Sequence, residues 1–237
     1  MMRALIVDDE MHVREELGTL LAETGDYLVL GTCSNAIEAL RAVKTMRPEV
    51  LFLDIHMPKV DGFQLLGMID ADRMPLVVFV TAYDEFALRA FEENALDYLL
   101  KPVQMDRLAR TTEKLKRILR DGNRPAFESP SIERIPCVTC HGIKLIDTTD
   151  VEFVRSSESG VHVVTDKGEF LTELTLTVLE AKTSLFARCH KQILVNIRRI
   201  DEIIRQESSA LIKTKSGKMV PVSRRFLTPL KERLLIH

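Results

Sequence analysis

Short apolar runs, each followed directly by a polar residue, constrain the fold of this chain most strongly. The runs are short, uninterrupted and rich in branched or aromatic side chains, which is typical of strands buried on both faces of a parallel sheet. They cover residues 4–7, 50–53, 76–80 and 98–100, with a fifth predicted strand at 29–32. Segments of helical period lie between and after them, at 13–21, 36–46, 62–69, 86–91 and 106–119. This alternation predicts an α/β fold with a doubly wound, five-stranded parallel sheet.

The polar residues that follow the strands predict a shared site. They are Asp8 and Asp9, Asp54, Thr81 and Lys101. The carboxyl ends of parallel strands meet at one edge of the sheet, where ligands bind, so we expect these side chains to converge. The alternative is that each residue only caps a strand or helix. Five such residues in this order favour the site.

The chemistry of these residues points to phosphoryl transfer. Clustered carboxylates repel one another unless a cation lies between them, and Mg²⁺ prefers oxygen ligands. Asp8, Asp9 and Asp54 are therefore the predicted metal ligands. Asp54 is also presented on a loop, and an ionised carboxylate can attack phosphorus without a general base. The Lys101 ammonium and Thr81 hydroxyl would neutralise the phosphoryl oxygens.

The second half of the chain predicts a separate, mainly β domain. A stretch rich in Gly, Pro and Ser predicts a linker at 122–134, between domains at 1–121 and 135–237. Short strands are predicted at 151–154, 161–164, 193–195, 211–213 and 219–222, with a hairpin turn at Ser216-Gly217. Helices are predicted at 174–181 and 224–235, the second capped by Ser223 and distorted or shortened by Pro229. A helix-turn-helix is not predicted.

Charge also divides the chain. Residues 130–237 contain 17 Lys and Arg against 13 Asp and Glu, whereas residues 1–129 contain 16 against 22. The basic residues of the second half form two clusters: Arg188, His190, Lys191, Arg198 and Arg199, then Lys213, Lys215, Lys218, Arg224 and Arg225. Such clusters beside strands indicate nucleic-acid binding, the alternative being a solvated basic face.

Residues 1 to about 121 resemble a response-regulator receiver domain, because the acidic pair, Asp54, Thr81-Ala82 and Lys101-Pro102 stand at the spacing of that family. The resemblance implies that Asp54 is the phosphoacceptor and that Mg²⁺ is the cofactor. It also implies that Thr81 and Tyr98 form a switch pair. The Lys101-Pro102 peptide bond is cis in that family.

Residues 186–196, Ile200 and residues 220–225 resemble the LytTR DNA-binding domain. The resemblance implies DNA contacts by Lys191 and Arg224, and Arg188, Arg225 and His162 are further candidates. Lys191-Gln192 stands where the family commonly has Arg-Ser, which leaves the base preference at this contact open.

Residues 51–55, 97–102 and 170–176 carry a resemblance that extends across the whole chain to the BtsR subgroup of LytTR regulators. This resemblance implies a LytS-type (BtsS-like) membrane sensor histidine kinase as phosphodonor. We therefore expect a cytoplasmic, non-enzymatic response regulator. Phosphorylation would make it a homodimer that binds repeated promoter sites. The alternative is a receiver-controlled module that binds protein and does not select a DNA sequence.

The cysteines allow two other interpretations. Cys137, Cys140 and His141 match the spacing of c-type haem attachment, and Cys189 and His190 could complete a zinc site. Because the amino terminus enters a predicted strand after three residues, no export signal is expected. The alternation of a strand also turns Cys137 and Cys140 to opposite faces, so structural thiols are favoured. No apolar run reaches about 18 residues, so no direct membrane insertion is expected.

Overall fold

The computed structural model describes residues 1–83, 86, 90, 95–122, 131–140, 142–205 and 210–235, with Arg205 described by its backbone alone. The chain divides into two compact units, Met1–Pro130 and Ser131–His237. The predicted helix at 86–91 lies outside the described residues except for Phe86 and Ala90. Residues 123–130 of the predicted linker also lie outside them.

The first unit is a five-stranded parallel sheet with helices between the strands, which confirms the predicted fold class. The strands are β1 (Met2–Val7), β2 (Tyr27–Cys33), β3 (Val50–Leu53), β4 (Leu76–Thr81) and β5 (Asp97–Leu100), in the order β2-β1-β3-β4-β5. The described α-helices are α1 (Met11–Thr24), α2 (Ala36–Met46), α3 (Gly62–Met68) and α4 (Met105–Asp121), with a 3₁₀ turn at Ala71–Arg73.

Strand register brings the polar ends together. Val7 of β1 pairs with Leu53 of β3, and Thr81 of β4 pairs with Leu100 of β5. The residues that follow continue the ladders, because the Asp54 amide donates to the Val7 carbonyl at 2.8 Å. The central strands β3 and β4 are fully buried: Phe52 and Val78 are 0% exposed. Their burial fixes the edge from which the polar side chains project.

Helix α3 packs tightly against the loop that carries Asp54. Asp61 and Gln64 form a capping box at its start, since each side chain accepts from the other's backbone amide. The Gly62 amide donates to the Ile55 carbonyl at 2.8 Å. A Cβ atom on Gly62 would lie 2.5 Å from the carbonyl oxygen of Asp54. Only glycine fits this approach without moving the loop.

The second unit is mainly β, as predicted. Seven antiparallel strands form one sheet in the order β11-β12-β8-β9-β10-β6-β7. They are β6 (Arg134–Thr139), β7 (Gly142–Asp147), β8 (Val151–Ser157), β9 (Gly160–Thr165), β10 (Gly168–Thr172), β11 (Phe186–His190) and β12 (Ile193–Asn196). A second, three-stranded sheet contains β13 (Ile200–Arg205), β14 (Ala210–Thr214) and β15 (Met219–Val222). The helices are α5 (Leu176–Lys182) and α6 (Arg224–Arg233), with a 3₁₀ turn at Ile197–Arg199.

The core of this unit joins the small sheet and α6 to β11 and β12. Ala187, Cys189 and Val195 pack in one cluster with Ile212 and Leu230. Strands β7, β10, β11 and β13 were not predicted, because polar residues interrupt them and they lack long apolar runs.

Helix α6 differs in detail from its prediction. It begins at Arg224 but ends at Arg233, two residues early, and it continues through Pro229. Ser223 occupies the N-cap position, yet its side chain makes no capping hydrogen bond. The Ser223 carbonyl instead accepts from the Phe226 amide at 2.9 Å. The expectation that the Ser223 hydroxyl caps this helix is therefore wrong.

Substituting Gly62 tests the close approach of α3 to the Asp54 loop. Gly62→Ala should lower the free energy of unfolding by about 1–3 kcal/mol, because the added methyl group overlaps backbone atoms. Gly18→Ala is the matched control, since its Cβ would meet nothing closer than Ile6 Cδ1 at 3.8 Å within helix α1. Chemical denaturation of both variants checks this. If Gly62→Ala lowered the free energy of unfolding no more than Gly18→Ala does, the tight packing of α3 against the Asp54 loop would be contradicted.

Candidate functional sites

Three carboxylates meet at the edge of the parallel sheet. Asp8 and Asp54 are 2% and 5% exposed, whereas Asp9 is exposed. One oxygen from each lies within 4.8 Å of the other two. Arg14 supports this loop by donating to the backbone carbonyls of Asp8 at 2.7 Å and Asp9 at 3.0 Å. The structure thus brings the predicted metal ligands together.

Lys101 bridges two of these carboxylates. Its Nζ lies 2.6 Å from Asp8 Oδ2 and 3.2 Å from Asp54 Oδ2. Burial alone would lower the pKa of Lys101, but the bonds to the two carboxylates outweigh it and raise that pKa above its ordinary value. The side chain therefore stays an ammonium, which is the form that can neutralise a phosphoryl group.

The environment of Asp54 controls both its orientation and its charge. Oδ1 accepts from the Ile55 amide at 2.8 Å, and Oδ2 accepts from Lys101, so the carboxylate is held at both oxygens. Burial raises the pKa of Asp54, the Lys101 ammonium opposes that rise, and the Asp8 carboxylate adds to it. A second positive charge nearby would favour the ionised, nucleophilic form.

The charges of the cluster fit a divalent cation. Asp8, Asp9 and Asp54 supply three negative charges against the one positive charge of Lys101. All the donor atoms of the three are carboxylate oxygens, which suit Mg²⁺. The residues therefore fit the predicted cofactor in both charge and chemistry.

Thr81 and Tyr98 lie on neighbouring strands beside this cluster. Thr81 is 0% exposed, and within the described chain its hydroxyl oxygen makes no hydrogen bond of normal geometry. It nevertheless lies close enough to Asp54 to help lower the pKa of that carboxyl against the effect of burial. The Tyr98 ring is buried, and its hydroxyl donates to the backbone carbonyl of Tyr83. The Lys101–Pro102 peptide bond is cis, as the resemblance implied.

An aromatic contact that the sequence did not indicate links the two loops of the site. The rings of His56 and Tyr83 are 4.3 Å apart between centroids, and Phe86 lies 5.1 Å from His56. His56 stands two residues after Asp54, and Tyr83 two residues after Thr81. The one hint in the sequence is that a side-chain ring recurs two residues after each of these two site residues. Together with the hydrogen bond from Tyr98 to the Tyr83 carbonyl, the contact connects the Asp54 loop to Tyr98, a member of the predicted switch pair.

In the second unit, the structure brings Lys191 and Arg224 to the same end of the fold. Lys191 and Gln192 form the exposed turn between β11 and β12, and Arg224 is the exposed first residue of α6. The Ser223 amide donates to the Cys189 carbonyl at 2.9 Å, which joins the start of α6 to the strand that leads into the turn. The two predicted principal DNA contacts are thus neighbours.

The three further candidates occupy different settings. Arg225 is exposed, with its guanidinium 5.6 Å from the centre of the Phe226 ring. Arg188 is only 19% exposed and pairs with Glu180 at 2.6 Å. His162 is half-buried on β9, facing Arg155, and within the described residues its Nδ1 has no hydrogen-bond partner. Arg225 is the most accessible of the three.

The second basic cluster of the sequence is not one patch. Lys218 lies at the opposite end of β12 from Lys191. It binds Glu152, and Glu152 precedes the β8 residues that pair with β12. Lys218 Nζ lies 3.0 Å from the buried Glu152 carboxylate, which also accepts from the Ser216 amide at 3.1 Å. Burial would raise the pKa of Glu152, but these bonds lower it below its ordinary value. The positive charge of Lys218 is therefore neutralised within the protein.

The cysteines form no shared site in the described chain. All four are free thiols; Cys33, Cys137 and Cys189 are buried, and Cys140 is exposed. Burial raises the pKa of both Cys137 and Cys189 to about 12, so neither thiol ionises readily. Among the described residues, Asp8, Asp9 and Asp54 are the one potential metal-binding group found. His141, part of the haem-like pattern, lies outside the described residues.

None of the helices in the described ranges is long and apolar enough to cross a membrane.

Comparisons with known proteins agree with both halves of the chain. Residues 4–113 match the response regulator receiver domain, and residues 141–235 match the LytTr DNA-binding domain. The chain is 49% identical over 235 residues to an uncharacterized response regulatory protein of Vibrio cholerae, covering 99% of both chains. It is 45% identical over 236 residues to the transcriptional regulatory protein BtsR of Escherichia coli, covering 98% of both.

Among solved structures, the chain is similar to the response regulatory domain of protein mrkE from Klebsiella pneumoniae, with 31% identity and a TM-score of 0.46 over 51% of this chain and 99% of that one. The two family matches together span most of the sequence, and the relatives match it from end to end. The chain therefore belongs to the family of response regulators in which a receiver domain is followed by a LytTr DNA-binding domain.

Proposed function

We propose that this protein is a cytoplasmic transcription regulator whose DNA binding is controlled by phosphorylation of Asp54. The phosphodonor is a membrane sensor histidine kinase of LytS type. The observation that carries the proposal is the buried Asp54 carboxylate, held by Lys101 beside two further carboxylates and the Thr81 hydroxyl. The name of the Escherichia coli relative, a transcriptional regulatory protein, supports the same output.

The phosphoryl transfer follows from the geometry of the site. An oxygen of Asp54 attacks phosphorus, the bond from phosphorus to the donor imidazole breaks, and an acyl phosphate forms. Asp8, Asp9 and Asp54 would hold Mg²⁺, which supplies positive charge to the phosphoryl oxygens when bound. Lys101 is already within 3.2 Å of the nucleophile and can follow the oxygens as they arrive. The chain stores this group and passes its effect to the DNA-binding domain.

The signal leaves the site through Thr81. Its buried hydroxyl gains an acceptor when a phosphoryl group is present on Asp54, so Thr81 moves toward the new oxygens. Tyr83 and Tyr98 are joined by a hydrogen bond next to this strand end, and they move with it. Thr81 and Tyr98 thus act as the switch pair that reshapes the receiver surface and favours a homodimer.

Dimerisation strengthens DNA binding through effective concentration. One small domain that makes a few contacts through Lys191, Arg224 and Arg225 binds weakly. Two linked domains on adjacent sites bind more tightly without any new kind of contact. Repeated sites in a promoter are the expected target.

In vitro selection from random duplex DNA tests the proposal as a whole. The full-length protein would be used with and without acetyl phosphate and Mg²⁺. Enrichment of a repeated short motif, strengthened by acetyl phosphate, is expected. No enrichment in either condition would contradict DNA-binding output and favour a protein partner.

Asp54→Asn should abolish phosphorylation by acetyl phosphate, because an amide is not nucleophilic enough to attack phosphorus. Asp61→Asn is the matched control, since asparagine also caps a helix and α3 keeps its start. Phosphate-affinity electrophoresis of both variants measures the modified fraction. Persistent modification of Asp54→Asn would show that the phosphoacceptor is another residue.

Arg224→Ala should weaken binding to the selected duplex by about 1–3 kcal/mol, as expected for loss of an arginine that contacts a base. Lys167→Ala removes one exposed positive charge from the β9–β10 turn and is the control for electrostatics alone. Fluorescence anisotropy at matched salt compares the two variants. Equal losses would mean that Arg224 contributes only its charge.

A further inference from the structure

Arg188 was predicted to contact DNA, but its guanidinium is occupied within the protein. Nε and Nη2 lie 2.7 Å and 2.6 Å from Oε2 of Glu180, which belongs to helix α5. Nη1 donates to the backbone carbonyl of Lys191 at 3.2 Å. Arg188 therefore connects α5 to the turn that carries the candidate DNA contact.

The backbone of that turn is fixed by two more bonds. The Gln192 amide donates to Nδ1 of His190 at 3.2 Å, and the Gln192 carbonyl accepts from the Ser156 amide at 2.8 Å. Both residues of the turn thus have a polar backbone atom held by a neighbouring group. The side chains of Lys191 and Gln192 themselves remain exposed.

We infer that Glu180 is a positioning residue for DNA recognition: it holds Arg188, and Arg188 holds the Lys191 backbone in the orientation that presents its side chain to a base edge. This inference rests on the proposed function. A guanidinium can serve both partners at once because its donors form a rigid planar fork. Without Glu180, the Arg188 side chain would lose the partner that fixes this fork beside the turn.

The direction in which removal of Glu180 changes DNA affinity distinguishes a positioning role from a purely electrostatic one. Glu180 places a negative charge close to the surface that would meet DNA phosphates. If it acted through charge alone, removing it would strengthen binding to every duplex. If Arg188 were itself a DNA contact, releasing it from Glu180 would also strengthen binding. A positioning role predicts the opposite for the recognised sequence, because an ordered turn is lost.

Glu169 offers a matched control within the same unit. It pairs with Arg155 at 2.7 Å, and its side chain is 37% exposed, close to the 35% of Glu180. In the described structure, the Arg155 side chain is not seen to bond to the backbone of a turn, unlike that of Arg188. Glu169→Ala therefore removes the same charge and the same kind of ion pair without releasing a turn.

The experiment compares full-length wild type, Glu180→Ala and Glu169→Ala on two probes: the duplex enriched by selection and a scrambled duplex of the same composition. Glu180→Ala should bind the enriched duplex about tenfold more weakly, as expected for losing a preorganised contact, and the scrambled duplex no more weakly than wild type. Glu169→Ala should retain wild-type discrimination. Glu180→Gln should lose less of the discrimination between the two duplexes than Glu180→Ala does. The glutamine amide oxygen can still accept a hydrogen bond from Arg188.

A measurement without DNA keeps this inference separate from the proposed function. Hydrogen exchange of the backbone at residues 190–193 should become faster in Glu180→Ala, whereas exchange at residues 135–139 of β6 should not change. If wild type fails to discriminate between the duplexes, the proposed function fails and so does the role in recognition. If wild type discriminates and Glu180→Ala binds the enriched duplex as well or better, or if exchange in the turn is unchanged, the positioning role alone is overturned.

Discussion

The proposed phosphoacceptor site depends on one interaction, the sharing of the Lys101 ammonium between the carboxylates of Asp8 and Asp54. Two nearly buried carboxylates this close together would have to take up a proton unless positive charge compensated for their lost hydration. Lys101 supplies part of that charge at 2.6 and 3.2 Å. Because the three residues follow β1, β3 and β5, the same contacts also tie together strand ends that span the sheet.

The sequence predicted this site well because its cause is local. The strands that lead into the site each contain a continuous apolar run, so the end of the run is marked by the first polar residue, as at Leu53 and Asp54. Parallel topology then requires those ends to converge. Contacts that involve backbone atoms leave no comparable pattern in the sequence. The bond from Tyr98 to the Tyr83 carbonyl and the close approach of Gly62 to Asp54 depend on three-dimensional packing that residue types do not encode.

The second unit was harder to predict because its strands are half-exposed. Some of its basic side chains also form ion pairs with acids on other strands or helices. Strand β11 contains Arg188 and His190, so its pattern does not show a buried run. The basic residues looked like two patches, yet Lys218 is neutralised by Glu152 and Arg188 by Glu180. Counting the charges within one stretch of sequence overestimates a binding surface whenever the opposing acids lie outside that stretch. Glu152 is 66 residues from Lys218.

If Asp54 is phosphorylated as proposed, the buried Thr81 hydroxyl, which makes no hydrogen bond of normal geometry, would give phosphorylation a source of free energy for switching. A ligand shifts a conformational equilibrium only by the difference in its interactions with the two states. A buried hydroxyl without a partner costs about 1–3 kcal/mol, and a phosphoryl oxygen on Asp54 would remove that cost. Energies of this size correspond to shifts of roughly 5- to 150-fold in an equilibrium. Under the proposed function, a single hydrogen bond at Thr81 would therefore be large enough to shift an equilibrium that involves the Tyr83–Tyr98 pair.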